Sequence, residues 1–217
     1  SVIAGEIQNK GLGIDVLVLN KKGAPITKSK GELVCNNSFP SMPLKFWNDK
    51  NDIKYNRAYF QKFKNLWHHG DYAEITKNGG FIIYGRSDAT LNPGGVRLGT
   101  SEIYSVVDKF DEIKESIVVG QQWDNDIRIV LFVVLKNKKK LSESLKIKLK
   151  QKIRLNASPR HVPAKIISVL DVPRTKNGKI VELAVKNLID GNQINNKEAL
   201  ANPEILSQFK DLKELSY

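Results

Sequence analysis

The chain has 217 residues, of which 41% are hydrophobic and 27% charged, as expected for a globular protein with one large or two small domains. No run approaches the roughly 18 consecutive apolar residues of a transmembrane helix, which excludes a membrane-spanning class. Cys35 is the single cysteine and cannot form an internal disulfide, which fits a reducing compartment, and we expect the cytoplasm. We expect Cys35 itself to be a strand residue.

The first 84 residues are predicted to be mostly β-structure. Three short β-favouring runs, separated by glycine, lysine and proline, cover residues 3–8, 14–20 and 31–36. Tyr55, Tyr59 and Phe63 then follow at helical spacing and predict a helix with an aromatic core stripe. Residues 67–85 predict a hairpin with its turn at residues 77–80.

Two adjacent histidines, His68 and His69, lie on the first strand of this hairpin. Neighbouring side chains on an extended chain point to opposite sides, so the two rings cannot easily share one metal ion. We therefore expect no metal site at these residues.

The segment from Gly85 to Tyr104, GRSDATLNPGGVRLGTSEIY, separates two differently patterned halves and holds two arginines, two carboxylates and four glycines. Glycine permits positive φ and a close approach of the backbone to a ligand. Gly94 and Gly95 therefore predict a tight turn that is closely contacted by another group. A loop that merely leads into a helix remains the simpler alternative.

Helices and strands alternate beyond this segment. An amphipathic helix is predicted from Thr100 as N-cap, with Glu102 near its positive end. Two strands with a loop at residues 121–125 carry continuous apolar runs, which indicate burial on both faces. A helix, a third strand and two further helices are predicted at residues 142–156, 164–172, 179–191 and 203–215. The sequence therefore predicts an α+β fold, a mainly β part followed by a small α+β domain with a three-stranded central sheet.

Positive charge is concentrated in residues 136–165, where eleven lysines and arginines face one acid, Glu143, within a net charge of +12. Such a segment attracts phosphate groups, or else forms a solubilising face. Nucleic-acid-binding surfaces usually place aromatic residues among the basic ones, and here only Phe209 and Tyr217 occur after Val133. Nucleic-acid binding is therefore the weaker alternative.

Three short motifs carry chemistry in a fixed order: Gly70-Asp71, Gly85-Arg86-Ser87-Asp88 and the segment PRTKNGK, which ends at Lys179. Asp71 follows a glycine, where a carboxylate can accept two hydroxyl hydrogen bonds. The Asn-Gly pair predicts a turn that holds Lys179 at a loop tip, although a hairpin with a solvated lysine would have the same pattern.

The order and spacing of these motifs resemble the adenylate-forming superfamily of acyl-CoA synthetases, peptide-synthetase adenylation domains and luciferases. The resemblance implies a large N-terminal domain and a small mobile lid, joined at a hinge that corresponds to Asp88. Residues 1–87 would then be the C-terminal part of the large domain and residues 88–217 the complete lid.

Within the superfamily, the stretches GELVCNNSFPSMPLKFWND, ATLNPGGVR and SPRHVPAKI are most similar to the acetoacetate–CoA ligases. The resemblance implies an acid–thiol ligase that uses acetoacetate, ATP with its Mg²⁺ carried by the nucleotide, and coenzyme A. Another short-chain acyl-CoA synthetase, or an adenylation domain that loads a carrier protein, remains an alternative.

The resemblance also assigns roles to individual residues. Lys179 would be catalytic, Asp88 the hinge, and Gly95 and Arg160 would bind coenzyme A. Three residues would bind ATP or AMP: Asp71, Arg86 and Arg97. The superfamily's phosphate loop and most of its acyl pocket have no counterpart in this sequence, so we expect the chain to need the preceding N-terminal domain as its partner and to be inactive alone. No tightly bound cofactor is expected.

Overall fold

The computed structural model describes residues 2–138, 140–194 and 197–216. It divides the chain into two compact units, Ser1–Asp88 and Ala89–Tyr217. Among the described residues, no helix combines the length and apolar character needed to cross a membrane.

The first unit contains an antiparallel sheet of four strands in the order β1-β2-β3-β4. Its strands are β1 (Val16–Leu19), β2 (Lys30–Cys35), β3 (Trp67–Ile75) and β4 (Phe81–Arg86). The predicted hairpin is confirmed, with Gly79 at φ +82° in the turn between β3 and β4. Cys35 is the last residue of β2, which confirms the predicted strand position, and its side chain is buried.

The strand predicted at residues 3–8 is wrong. Of these residues only Ile7 pairs with the sheet, through two backbone hydrogen bonds of 2.8 Å with Phe81. Gly5 has a φ of +83°, which interrupts an extended chain just before this point.

The aromatic helix is shorter than predicted. Helix α1 spans Ile53–Tyr59 and ends before Phe63, and none of its residues is buried. The aromatic rings instead pack around Trp67 of β3, on which Tyr59 stacks with ring centroids 3.6 Å apart. The aromatic residues at helical spacing therefore contact one another and a strand of the sheet, and they do not form the buried face of a helix.

The second unit is built on the predicted three-stranded sheet. Strands β5 (Ile113–Trp123) and β6 (Asp126–Leu135) are antiparallel, and β7 (Lys165–Ser168) lies parallel to β6. The loop between β5 and β6 is only Asp124 and Asn125, not five residues, because both have positive φ (49° and 59°) and form a tight hairpin turn.

Both faces of this sheet are covered, as the continuous apolar runs predicted. Helices α2 (Thr100–Val107) and α3 (Glu143–Asn156) cover one face, in a core that includes Ile103, Leu149 and Leu131. Helix α4 (Glu182–Ile189) and the following segment cover the other face, where Phe209 packs edge-on against Phe132. The predicted α+β fold is confirmed.

Three predicted helix boundaries need correction. Helix α2 begins at Thr100 and its N-cap is Gly99, whose N–H donates to the Glu102 carboxylate at 3.1 Å. Helix α4 begins at Glu182 because Ile180 pairs back with Arg174 in a hairpin. The last predicted helix consists of two 3₁₀ segments, Pro203–Phe209 and Lys213–Leu215.

Candidate functional site

Asp71 of β3 lies directly opposite Arg86 of β4 in the antiparallel register. Asp71 Oδ1 is 3.5 Å from Arg86 Nη1, and Asp71 Oδ2 is 2.5 Å from His69 Nδ1. The Asp71 side chain is 17% exposed, whereas about half of the His69 and Arg86 side chains is exposed. A carboxylate oriented by two flanking groups at a surface retains lone pairs for further hydroxyl donors.

The position of Arg86 explains why a glycine stands at residue 70, directly before this aspartate. Its φ is +85°, and a Cβ atom on it would lie 2.7 Å from Arg86 Nη2. Arg86 Nη1 also donates to the His69 carbonyl at 3.2 Å. Because no side chain stands at residue 70, the guanidinium can lie against the strand, where it meets Asp71.

Asp88 is the last residue of the first unit, and its carboxylate lies 3.5 Å from Arg86 Nε. Both side chains are about half exposed. Exposed ion pairs of this kind contribute about 0–1 kcal/mol. A backbone rotation at Asp88 would therefore meet little resistance from this contact.

Glu32 forms a second polar cluster that the sequence analysis missed. Its side chain is 4% exposed and accepts hydrogen bonds from Lys62 Nζ at 2.6 Å and from the Ser87 hydroxyl at 2.5 Å, and it lies 2.9 Å from His68 Nε2. Ser87 immediately precedes Asp88, so this buried carboxylate fixes the chain next to the candidate hinge. A charged residue in an otherwise buried strand pattern was the available signal.

Gly94 and Gly95 form a left-handed turn in the second unit, with φ values of +57° and +74°. A Cβ atom on either residue would meet nothing within 4 Å, so the backbone conformation and not local space favours glycine here. The Gly94 N–H donates to both carboxylate oxygens of Asp126, each at 3.0 Å. The turn therefore has free space where side chains would stand, and its backbone is held by Asp126 at the start of β6.

Arg97 lies at the base of the same loop. Its Nε donates to the Thr90 hydroxyl at 3.0 Å, and the flanking residues Leu91 and Leu98 exchange backbone hydrogen bonds of 3.0 and 2.8 Å. The guanidinium is half-buried and held beside the glycine turn.

Lys179 is exposed at the end of a tight hairpin turn. The Thr175 N–H donates to the Lys179 carbonyl at 2.8 Å, and the Gly178 N–H donates to the Thr175 carbonyl at 2.8 Å. The Lys179 N–H donates to the Thr175 hydroxyl at 3.1 Å, and Gly178 has a φ of +79°. The threonine, the glycine and the lysine of the motif thus form one hydrogen-bonded unit.

Arg160 lies in a 3₁₀ turn, Pro159–His161, that follows α3. Its N–H donates to the Ser158 hydroxyl at 3.2 Å, and its side chain is exposed. The basic segment 136–165 places Lys148, Lys152 and Arg154 at the surface of α3. Lys139 and the side chain of Lys138 lie outside the described residues.

The structure thus groups the candidate residues by unit. Asp71, Arg86 and Asp88 form one contiguous cluster in the first unit. The second unit holds the glycine turn with Arg97, the Lys179 hairpin and Arg160 on separate loops.

Residues 102–179, which end at the hairpin lysine, match the family model described as the AMP-binding enzyme C-terminal domain. The chain thus carries the C-terminal domain of the AMP-binding enzymes, and the resemblance inferred from its motifs is confirmed.

The particular relatives are acetoacetyl-CoA synthetases. The chain is 58% identical over 211 residues to acetoacetyl-coenzyme A synthetase of Rhizobium meliloti, a match that covers 97% of this chain and 32% of the relative. It is 44% identical over 216 residues to the Gallus gallus acetoacetyl-CoA synthetase, covering 99% of this chain and 32% of the relative. The chain therefore spans about a third of the length of these relatives.

Two solved structures, of a CoA synthetase and a CoA ligase, are similar to this chain. Acetoacetyl-CoA synthetase from Streptomyces lividans superposes with a TM-score of 0.89 at 38% identity, over 95% of this chain and 32% of that one. A benzoate CoA ligase from Burkholderia xenovorans superposes with a TM-score of 0.72 at 26% identity, over 85% of this chain and 36% of that one.

Proposed function

We propose that this chain is the C-terminal part of an ATP-dependent acetoacetate–CoA ligase and that Lys179 is its catalytic lysine. The observation that carries the proposal is the exposed lysine on a hydrogen-bonded hairpin, which is the last residue of the segment that matches the AMP-binding enzyme C-terminal domain. The 58% identity to an acetoacetyl-CoA synthetase supports acetoacetate as the acyl substrate.

The reaction has two steps in this proposal. The acetoacetate carboxylate attacks the α-phosphorus of ATP, forming acetoacetyl-adenylate and releasing pyrophosphate. Negative charge develops on the phosphate oxygens, and the Lys179 ammonium, with Arg97, stabilises it. The thiol of coenzyme A then attacks the activated carbonyl, forming a thioester bond as the bond to AMP breaks.

Asp71 orients the nucleotide in this scheme by accepting hydrogen bonds from the ribose hydroxyls. Arg86 and His69 hold the Asp71 carboxylate at 3.5 and 2.5 Å. A carboxylate positioned in advance needs less ordering when the nucleotide binds.

Asp88 is the proposed hinge between the two steps. A change in its backbone angles withdraws Lys179 and brings the open turn at Gly95 to the pantetheine arm of coenzyme A. Arg160, exposed after α3, would contact the coenzyme A phosphates as a guanidinium suited to phosphate.

The chain covers about a third of its relatives, so we propose that it is inactive alone and acts with the preceding N-terminal domain. Cys35, a buried free thiol, suits a reducing compartment such as the cytoplasm.

A graft onto a relative tests the proposal. This chain replaces the matching third of the Rhizobium meliloti enzyme, and acetoacetate-dependent ATP–pyrophosphate exchange and CoA-dependent AMP release are measured. We expect both activities in the graft and neither in the isolated chain. Lys179→Ala should slow adenylate formation by roughly 10²- to 10³-fold.

Two results would count against the proposal. Adenylate formation by the Lys179→Ala graft at the parent rate would exclude the catalytic lysine. Product release that needs an acyl carrier protein and ignores coenzyme A would favour a carrier-loading adenylation domain.

A further inference from the structure

The side chain of Arg174 connects the Lys179 hairpin to the central sheet. Its Nη1 donates to the Gly178 carbonyl at 2.9 Å, and its Nη2 pairs with the Glu115 carboxylate on β5. Both side chains of this pair are about one quarter exposed, at 27% and 25%. One guanidinium therefore bridges the hairpin tip and a strand 59 residues earlier in the chain.

The bridge acts on the peptide unit that leads into Lys179. The Gly178 carbonyl and the Lys179 N–H belong to one planar peptide group. Arg174 holds the carbonyl side, and the Thr175 hydroxyl accepts from the N–H side at 3.1 Å. With both edges held, the plane from which the Lys179 side chain departs is fixed.

Apolar packing does not fix this tip. Residues 176–180 are all exposed. Gly178 has a left-handed backbone conformation, and as a glycine it has no Cβ atom to restrict its backbone. Hydrogen bonds and the Arg174 bridge are thus what orders the tip.

We propose that Arg174 is the positioning residue for Lys179. By bridging the Gly178 carbonyl and the Glu115 carboxylate, Arg174 orients the Lys179 ammonium group. This inference rests on the proposed catalytic function of Lys179. The planar fork of arginine can serve two acceptors at once, whereas a lysine in the same place is a single point charge.

The backbone of Arg174 is itself secured by the segment that follows α4. Its N–H donates to the Asn202 side-chain oxygen at 2.9 Å, and its carbonyl accepts from the Ala201 N–H at 2.8 Å. The guanidinium therefore projects from a fixed point, and replacing only its end group should leave this support in place.

The first experiment measures amide hydrogen exchange in the chain itself. Arg174→Lys retains a cation near Glu115 but not the two-acceptor bridge, and Glu115→Gln removes the charge at the other end. We expect the amides of Thr175, Gly178 and Lys179 to exchange about tenfold faster in both variants, while those of β5 and β6 stay unchanged. Lys176→Ala, an exposed change in the same turn, is the matched control and should have no such effect.

Two outcomes would overturn the inference. Unchanged exchange at Gly178 and Lys179 would show that the bridge does not order the tip. Faster exchange throughout β5 and β6, with a lower melting temperature, would show that Arg174 only holds the domain together.

The second experiment separates the two chemical steps in the grafted enzyme. Arg174→Lys should slow adenylate formation about tenfold with little change in the KM for ATP, and leave thioester formation from preformed acetoacetyl-adenylate unchanged. Equal slowing of both steps would refute a role directed at Lys179. If Lys179→Ala had no effect on adenylation, the proposed function would fail, while the exchange result would still stand for the hairpin.

Discussion

The hydroxyl of Tyr104 donates to Glu182 Oε1 at 2.5 Å and joins α2 to the first turn of α4. The same oxygen accepts a hydrogen bond from the Val118 N–H at 2.9 Å. Burial and, secondly, the neighbouring Glu182 carboxylate raise the pKa of Tyr104 well above its usual value. Because Glu182 follows Lys179 by only three residues, this contact also secures the far end of the hairpin.

The raised pKa of Tyr104 predicts a loss of stability in alkali. The protonated phenol is favoured in the folded state, so its contribution is present below the unfolded pKa near 10 and is lost as the pH rises beyond it. Tyr104→Phe should lower the free energy of unfolding by about 1–3 kcal/mol at pH 8 and flatten this alkaline decline. Chemical denaturation between pH 8 and 11 measures both, and an equally steep decline in the variant would contradict the assignment.

Gly70 and Gly79 form a matched pair for substitution by alanine. Both have left-handed backbones, with φ of +85° and +82°, so each change should cost about 1 kcal/mol in strain. Only the Cβ atom at residue 70 meets a neighbour, the Arg86 guanidinium at 2.7 Å, which is flexible enough to move away.

We therefore expect similar melting temperatures for the two alanine variants but weaker nucleotide binding only for Gly70→Ala in the grafted enzyme. Thermal unfolding and ATP titration measure the two effects. Equal ATP affinity in both variants would show that nucleotide binding does not depend on the position of Arg86 beside Asp71.

Glu32 is predicted to stabilise the first unit from inside. Glu32→Ala leaves Lys62, His68 and Ser87 without this acceptor, and should cost about 3 kcal/mol, since removal of one partner from a buried ionic group is strongly destabilising. Ser87→Ala removes one neutral donor and should cost about 1 kcal/mol.

Urea unfolding tests this ranking through the fluorescence of Trp67, with Trp47 and Trp123 replaced by phenylalanine so that one of the three tryptophans remains. Equal costs for Glu32→Ala and Ser87→Ala would mean that the carboxylate does not organise the cluster.

Asp126 is predicted to hold the glycine turn. Asp126→Ala removes both acceptors of the Gly94 N–H, so this amide should exchange with solvent about tenfold faster. In the grafted enzyme, the step with coenzyme A should slow while adenylate formation stays unchanged. Asp111→Ala, an exposed acid in the same unit, is the control, and identical exchange at Gly94 in both variants would contradict the prediction.

The sequence determined much of this protein because much of its chemistry is local. Apolar runs and turn residues specified the β3–β4 hairpin and the three-stranded sheet, since strand period and left-handed turns depend on residues a few positions apart. The family resemblance came from the order and spacing of the three motifs along the chain, and the match over residues 102–179 agrees with it.

Only the tertiary structure decided which side chains support those motifs. Arg174 reaches Glu115 across 59 residues, Ser87 reaches Glu32 across 55, and Gly94 reaches Asp126 across 32. Such pairs depend on strand register and on the packing of whole elements, and a shift of one residue in a strand would turn each side chain to the other face. A charged residue in a buried strand pattern, such as Glu32, indicates that a partner is needed, but the local pattern does not identify which distant residue supplies it.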